Sequence, residues 1–551
     1  MPQDKPWFGS WPNEVPKNMK YPTVPLHQIL ENTAVTYPEK IAIAYFENEI
    51  TYGEFNSLAD RFASALAALG VDKGDRVAIF LPNIPQFMIA YYGILKAGAV
   101  ITAVSPLHKE REVEYQLQDS ETETILTLDS LYPIVRNVRA KTKLKRVIIT
   151  SQAEYASKTS PALDENSREP DVYSFQQLMK ESAAAPRISV NPAEDIAALQ
   201  YTGGTTGTAK GAMLTHLNLV SNTVMFAAWI KGIPAQETFL TALPLFHIYG
   251  MTTSMNVPIS LAAKMVLLPR FDPNAALQTI QRHKVTVFCG VPTMYSILIA
   301  NPELCKYNLT SIRVCISGAS PLPPHVQKRF MDVTGGLLAE GYGLTEASPV
   351  THCNPPDRTM KTVRVGSIGL PLPDTDARIV DAATGDKTLQ PDEIGELVVR
   401  GPQVMKGYWR KPEETANVLR NGWLYTGDVG RMDGDGYFYI TDRKKDLIKY
   451  KDYSVYPREI EDVLYEHVAV KFCAVVGKPD PLVGEIPKAF IVLKEGAEAT
   501  SQDIMDFVKD KLAPYKVIRE VEFRKELPLS SVGKVLRRVL HEEERAKAAA
   551  T

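Results

Sequence analysis

Apolar and polar positions along the chain repeat with two different periods. Arg76–Phe80, read RVAIF and followed by Pro82, and Val285–Cys289 are short apolar runs, and each predicts a buried strand. Tyr52–Leu69 instead places Phe55, Leu58, Phe62, Leu66 and Leu69 three or four residues apart, which predicts a helix. The helix before Val285 is announced by Asp272 as cap and Pro273 at the first position. Strand and helix signals alternate through the first part of the chain, so the expected fold class is α/β, with parallel sheets covered by helices. From Gly366 the texture changes. GSIGLPLPDTDARIVD, GELVVRG and GYFYITDR are short, turn-rich β segments, and Asp433–Gly436 (DGDG) reads as a hairpin turn rather than a calcium loop. KKDLIKYKDYSVYP is a charged, proline-ended linker. Beyond it the pattern is helix Arg458–His467, strands Val470–Val476 and Lys488–Leu493, helix Ser501–Leu512 with Ser501 as cap, strand Val521–Arg524 and helix Lys534–Glu544. About 100 residues suffice for a small α+β domain. The expected division is therefore 1–442, a linker at 443–452, and 453–551.

Composition narrows the class without naming a function. The 551 residues are too many for one core. The hydrophobic share of 45% and charged share of 23% are those of a globular protein. A net charge of −2 gives no basis for a nucleic-acid partner. The five cysteines are scattered and form no CxxC, so free thiols are expected. No secretory h-region is visible, and the apolar stretch Val77–Val104 is broken by Pro82, Pro85 and Lys96, so it reads as core and not as a membrane span. The expectation is a cytoplasmic protein without a transmembrane segment, which leaves room for peripheral membrane contact. The polar, loosely patterned stretch Ser151–Pro170 reads as an insertion or a flexible excursion.

The chemistry begins at Gln200–His216, QYTGGTTGTAKGAMLTH. Thr202–Gly211 holds four glycines, four threonines and one lysine. Bare backbone N–H groups, hydroxyls and one ammonium suit phosphate. With Ile196–Leu199 as a strand and Asn218–Ile230 as a helix, the segment reads as a strand–turn–helix anion site. It is not a Walker A loop, because Ala209 and not glycine precedes Lys210. A flexible surface loop is the plain alternative. The string resembles the phosphate loop of adenylate-forming enzymes, in particular the fatty acyl-CoA synthetases. The resemblance implies activation of a carboxylic acid by ATP as an acyl-AMP, then transfer to coenzyme A. It also implies a large N-terminal domain and a mobile C-terminal lid.

Four further motifs lie downstream, in the family's order along the chain. EGYGLTEASPVTHCNPP resembles the block in which a tyrosine lies on adenine, a threonine bonds the α-phosphate and a glutamate holds Mg²⁺. This implies nucleotide-binding roles for Gly341, Tyr342 and Thr345, catalytic roles for Thr345 and Glu346, and a metal role for Glu346 with Thr205. SGASP at Ser317–Pro321 resembles the adenine-side loop and brings in Gly318 and Ala319. GWLYTGDVG and the string up to Lys445 resemble the signature in which a carboxylate takes the ribose diol, here Asp428, with Arg443 beside it. PLSSVGKVLRR carries Lys534, which by resemblance holds the carboxylate and α-phosphate in line. In the phosphate loop the resemblance covers Thr202, Gly203, Gly204, Thr205, Thr206, Gly207 and Lys210. Adenylation needs Lys534 engaged and thioester formation needs it withdrawn, so the lid must turn. By resemblance Lys445 is the hinge and Lys449 lies on the face used in the second step. Asp452 departs from the family's usual glycine, adding bulk and charge where the pantetheine arm passes.

The acid site is read from PLFHIYG, Pro244–Gly250. His247 matches a residue that gates the carboxylate path, and a core histidine bonded to a backbone carbonyl is an equal reading. Met225, Phe226 and Trp229 at helical spacing suit an acyl tunnel, but plain packing explains the same spacing. The expected reaction is an ATP- and Mg²⁺-dependent ligation of a medium- or long-chain fatty acid to CoA, with a small-molecule carboxylic acid, ATP and CoA as partners. An aryl-acid ligase and a carrier-loading ligase are the enzymatic alternatives. A non-catalytic acyl or nucleotide sensor is the alternative from another class.

Overall fold

The computed structural model describes residues 5–157, 169–180, 184–202, 209–451, 453–480, 482–530 and 534–550. The chain forms two compact units. One comprises Met1–Asp376 with Arg400–Leu424, the other Ala377–Val399 with Tyr425–Thr551.

The first unit is built on two large sheets. In one, six parallel strands run in the spatial order Val172–Ser174, Arg146–Thr150, Thr124–Leu128, Arg76–Phe80, Val100–Ala103 and β1 (Ile196–Thr202). The predicted strand Arg76–Phe80 lies inside this sheet, which is why its apolar run is unbroken: Val77 to Phe80 are buried. An antiparallel strand, β2 (Lys210–Thr215), follows β1, with Thr202 opposite Lys210. A paired strand, and not the predicted helix, therefore follows Ala209. KGAMLT pairs along β1, and helix α1 (His216–Trp229) starts only after Thr215, whose hydroxyl caps Asn218 N–H. The helix predicted at Tyr52–Leu69 spans Tyr52–Ala68, with a Thr51/Glu54 capping box at its start.

The second sheet runs parallel from Ile41–Tyr45 through Lys264–Leu267, Thr238–Thr241, Val287–Gly290 and β3 (Val314–Ser317) to β4 (Leu337–Gly343), with antiparallel strands at both edges. Its core includes Leu277, Phe288, Tyr295 and Phe330. Asp272 caps the helix Pro273–His283 as predicted, accepting from Ala275 N–H. SGASP leaves the C-terminal end of β3 and GYGLTE that of β4, where ligands bind in open α/β sheets.

The second unit opens with the β-rich segment. β5 (Trp423–Met432) pairs antiparallel with β6 (Phe438–Arg443) across the Asp433–Gly436 turn, so DGDG is a hairpin. Next come Ile448–Tyr450 and Tyr453–Val455, then helix α2 (Pro457–Tyr465), the long hairpin Val470–Asp480 with Gly484–Leu493, a helix Ser501–Lys509, the strand Glu520–Phe523 and helix α3 (Arg537–Ala550). Ile448, Ile460, Val475, Ile491 and Ile504 form a core of their own. Two expectations need correction. The cap of Ser501–Lys509 is Thr500 and not Ser501, because the Thr500 hydroxyl accepts Asp503 N–H. Lys534 does not open a helix. Ser530 N–H donates to Lys534 O, Leu529 bridges Val535, and the helix begins at Arg537.

Candidate active site

In the first unit the β1–β2 hairpin and the end of β4 bring two charged groups to one tyrosine. Lys210, at the start of β2, forms an ion pair with Glu414, and its ammonium lies 5.2 Å from the centre of the Tyr408 ring. The Tyr408 hydroxyl donates to Glu346 Oε1 at 2.7 Å, while Glu346 O accepts Met405 N–H at 2.8 Å. Burial, then the nearby Glu346 carboxylate, pushes the Tyr408 phenol well above its ordinary range, so it remains a donor. The sequence reading missed Tyr408 and Glu414. Glu346 leaves a short helical turn, Thr345–Ala347, and is half-buried. Among the described residues no group of three metal-ligating side chains occurs. One carboxylate with a fixed hydroxyl on one oxygen suits a Mg²⁺ ion held mainly by substrate phosphates and water.

Tyr342 lies on β4 with its ring 6.0 Å from that of His352. Gly343 beside it allows no side chain, since a Cβ would fall 2.2 Å from Pro349 O. Gly341 is buried in β4. Gly318 rests on Tyr249, whose ring would meet a Cβ at 3.0 Å. Ala319 has φ +67°, a left-handed conformation that is costly for alanine and collects at functional sites. His247 caps the short helix Ile248–Met251, and its Nδ1 accepts Tyr249 N–H at 3.2 Å. The neutral ring therefore carries its proton on Nε2. That contact is to a backbone donor. Met225, Phe226 and Trp229 are buried in α1, where Trp229 packs on Trp11 at 5.1 Å and donates to Asn354 O.

In the second unit, hairpin register sets the geometry. Asp428 on β5 faces Arg443 on β6, and their ion pair measures 3.2 Å. Gly427 holds φ +73° just before the carboxylate, and its N–H donates to Glu396. Lys534, far away in sequence, comes close enough to feel both charges. Arg443, then burial, pulls its ammonium down to about 7, while Asp428 opposes the shift. Asp428, Arg443 and Lys534 are thus assembled in one place. Lys445 and Lys449 are exposed. Lys449 lies on the strand Ile448–Tyr450, opposite Ser454, and its N–H donates to Glu485.

Two family profiles match the chain. The profile of the AMP-binding enzyme family matches residues 30–409, and that of its C-terminal domain matches 459–534. The chain belongs to the AMP-binding enzyme family. It is 46% identical to a long-chain-fatty-acid–CoA ligase of Bacillus subtilis, over 99% of each chain. The solved structure of ATP-bound MatB from Rhodopseudomonas palustris superposes with a TM-score of 0.83 and 30% identity, covering 94% of this chain and 99% of that one. An anthranilate CoA ligase, AuaEII, in complex with anthranoyl-AMP gives 0.84 and 28% identity over 97% and 99%. Among the candidate residues of this AMP-binding enzyme, Gly203, Gly204, Thr205, Thr206 and Gly207 lie outside the described residues, as does Asp452. No helix among the described residues is long and apolar enough to cross a membrane.

Proposed function

We propose that this chain is an ATP- and Mg²⁺-dependent fatty acid–CoA ligase for medium- or long-chain acids. The observation that carries the reading is the meeting of Lys534 with the Asp428–Arg443 pair, in a chain nearly half identical to a long-chain-fatty-acid–CoA ligase throughout its length. Asp428 accepts the ribose hydroxyls and Arg443 steadies it. Tyr342, Gly341, Gly318 and Ala319 flank the adenine. Thr202, Lys210 and the residues between them bind the triphosphate, and Thr345 bonds the α-phosphate. Glu346 and Thr205 would hold Mg²⁺, which neutralises phosphate charge when bound. Lys534 holds the acid's carboxylate against the α-phosphorus. A carboxylate oxygen attacks, the bond to pyrophosphate breaks, and acyl-AMP results. The lid, 453–551, then turns about Lys445 within the linker 443–452 and withdraws Lys534 from the 1–442 region. Lys449 comes onto the working face. The CoA sulfur bonds the acyl carbon, AMP leaves with the electron pair of the broken C–O bond, and the thiol proton passes to solvent. His247, its Nε2 protonated, lies on the acid's path.

AMP and acyl-CoA production across aliphatic and aryl acids, with and without CoA, tests this. Fatty acids of medium or long chain should give AMP and thioester together. Acyl-AMP without CoA ester would mean a carrier-loading enzyme, preference for aryl acids would mean an aryl ligase, and no AMP from any acid would mean a sensor.

A further inference from the structure

Arg537, three residues after Lys534, makes contacts on both sides of Lys445. Its Nε and Nη2 form a fork on Glu461 of α2, at 3.2 and 2.5 Å. Its Nη1 is shared by Asp442 and Asp446, at 3.5 Å each. Asp442 ends β6, before Lys445, whereas Asp446 follows it. The Asp442 side chain is 1% exposed. It also accepts Arg443 N–H at 2.7 Å and, at the start of α2, Arg458 N–H at 2.8 Å. The Arg458 side chain donates to Ile440 O at 2.6 Å. If the chain turns at Lys445, Glu461 travels with Arg537 and the fork survives. Asp442 stays behind. Nη1 then passes to Asp446 alone, and a buried carboxylate loses its cation.

We propose that Arg537 is a positioning residue whose pair with Asp442 latches the lid in the orientation that keeps Lys534 beside Asp428 and Arg443, and so sets the balance between the two half-reactions. This rests on the two-orientation reading given above. The fork on Glu461 anchors the arginine in the lid, so only one of its three charge contacts changes hands. Such a device holds an orientation without locking it.

The test measures each half-reaction separately on the full chain. Asp442→Asn keeps an oxygen for Arg458 N–H and removes the charge. Pyrophosphate release from acid and ATP should fall about tenfold, as expected for loss of one charge-assisted hydrogen bond. Thioester formation from supplied acyl-AMP and CoA should hold or rise. Arg537→Lys, which keeps a cation near Glu461 but cannot serve three carboxylates, should split the steps the same way. Equal loss of both steps, or no change in either, overturns the latch. So does loss of the native circular dichroism spectrum in both variants, which would make the contact purely structural. Lys534→Ala is run in parallel. If it spares pyrophosphate release, the lid reading itself fails; if it blocks that step alone while Asp442→Asn splits nothing, only the latch falls.

Discussion

Lys534 is a lysine whose charge is contested by its neighbours. Arg443 lowers its affinity for a proton and Asp428 raises it, with the balance at about 7 in the nucleotide-free chain. If the ammonium is the working form, kcat/KM for acyl-AMP formation should fall as pH rises through about 7, because that parameter reports the free enzyme. Lys534→Arg, charged throughout, should lose this limb; if the limb stays, another group produces it. Asp428→Asn removes the opposing charge, so in that variant the limb should move to lower pH. The same substitution should raise the KM for ATP about tenfold through the lost ribose contacts. Tyr408 offers a different check. Its hydroxyl holds one oxygen of Glu346, and Tyr408→Phe should raise the Mg²⁺ concentration needed for half-maximal pyrophosphate release by about tenfold, the scale of a lost outer contact at a metal ligand. An unchanged Mg²⁺ requirement would detach Tyr408 from metal binding.

Among the elements, caps decide stability where sequence spacing leaves a choice. Thr500 carries the reciprocal contact with Asp503. Thr500→Ala should therefore cost about 1 kcal/mol in denaturant unfolding, and Ser501→Ala should be close to neutral. The reverse order would restore the cap read from spacing. The strand Arg76–Phe80 and the helix Tyr52–Ala68 were legible because each carries its signal within itself: one as an unbroken apolar run, the other as a 3.6-residue period. β2 was not legible, because glycine and lysine at its start continue the composition of the preceding loop. What makes it a strand is pairing with β1. Lys534 was read onto a helix because VLRR continues into one. Its place depends on Leu529 meeting Val535, and its partners Asp428 and Arg443 lie about a hundred residues away. Tyr408 and Glu414 were missed for the same reason. Their contacts reach Glu346 and Lys210, 62 and 204 residues back in the chain, with no motif of their own.

For the whole molecule, the question is how one nucleotide site serves two reactions with opposite needs. Forming acyl-AMP brings carboxylate and phosphate together, so a cation at their junction lowers that barrier directly. Breaking acyl-AMP with a thiol needs open access at the same junction, and in the proposed cycle the cation has no part in it. A single residue that serves only one step should leave a clear mark. Lys534→Ala should slow pyrophosphate release by about a hundredfold to a thousandfold, the range seen when one transition-state donor is removed. If, as proposed, that step begins after the lysine has left, acyl-CoA formation from supplied acyl-AMP should stay within about twofold. Two outcomes would contradict this division. A parallel loss in both steps would place Lys534 in a site that never reopens, and full retention of both would leave Asp428 and Arg443 to bind nucleotide without it. Steady-state turnover alone cannot separate these cases, because either step can limit it. Rapid-quench measurement of acyl-AMP from ATP and acid, beside thioester formation from synthetic acyl-AMP, reads the two barriers independently.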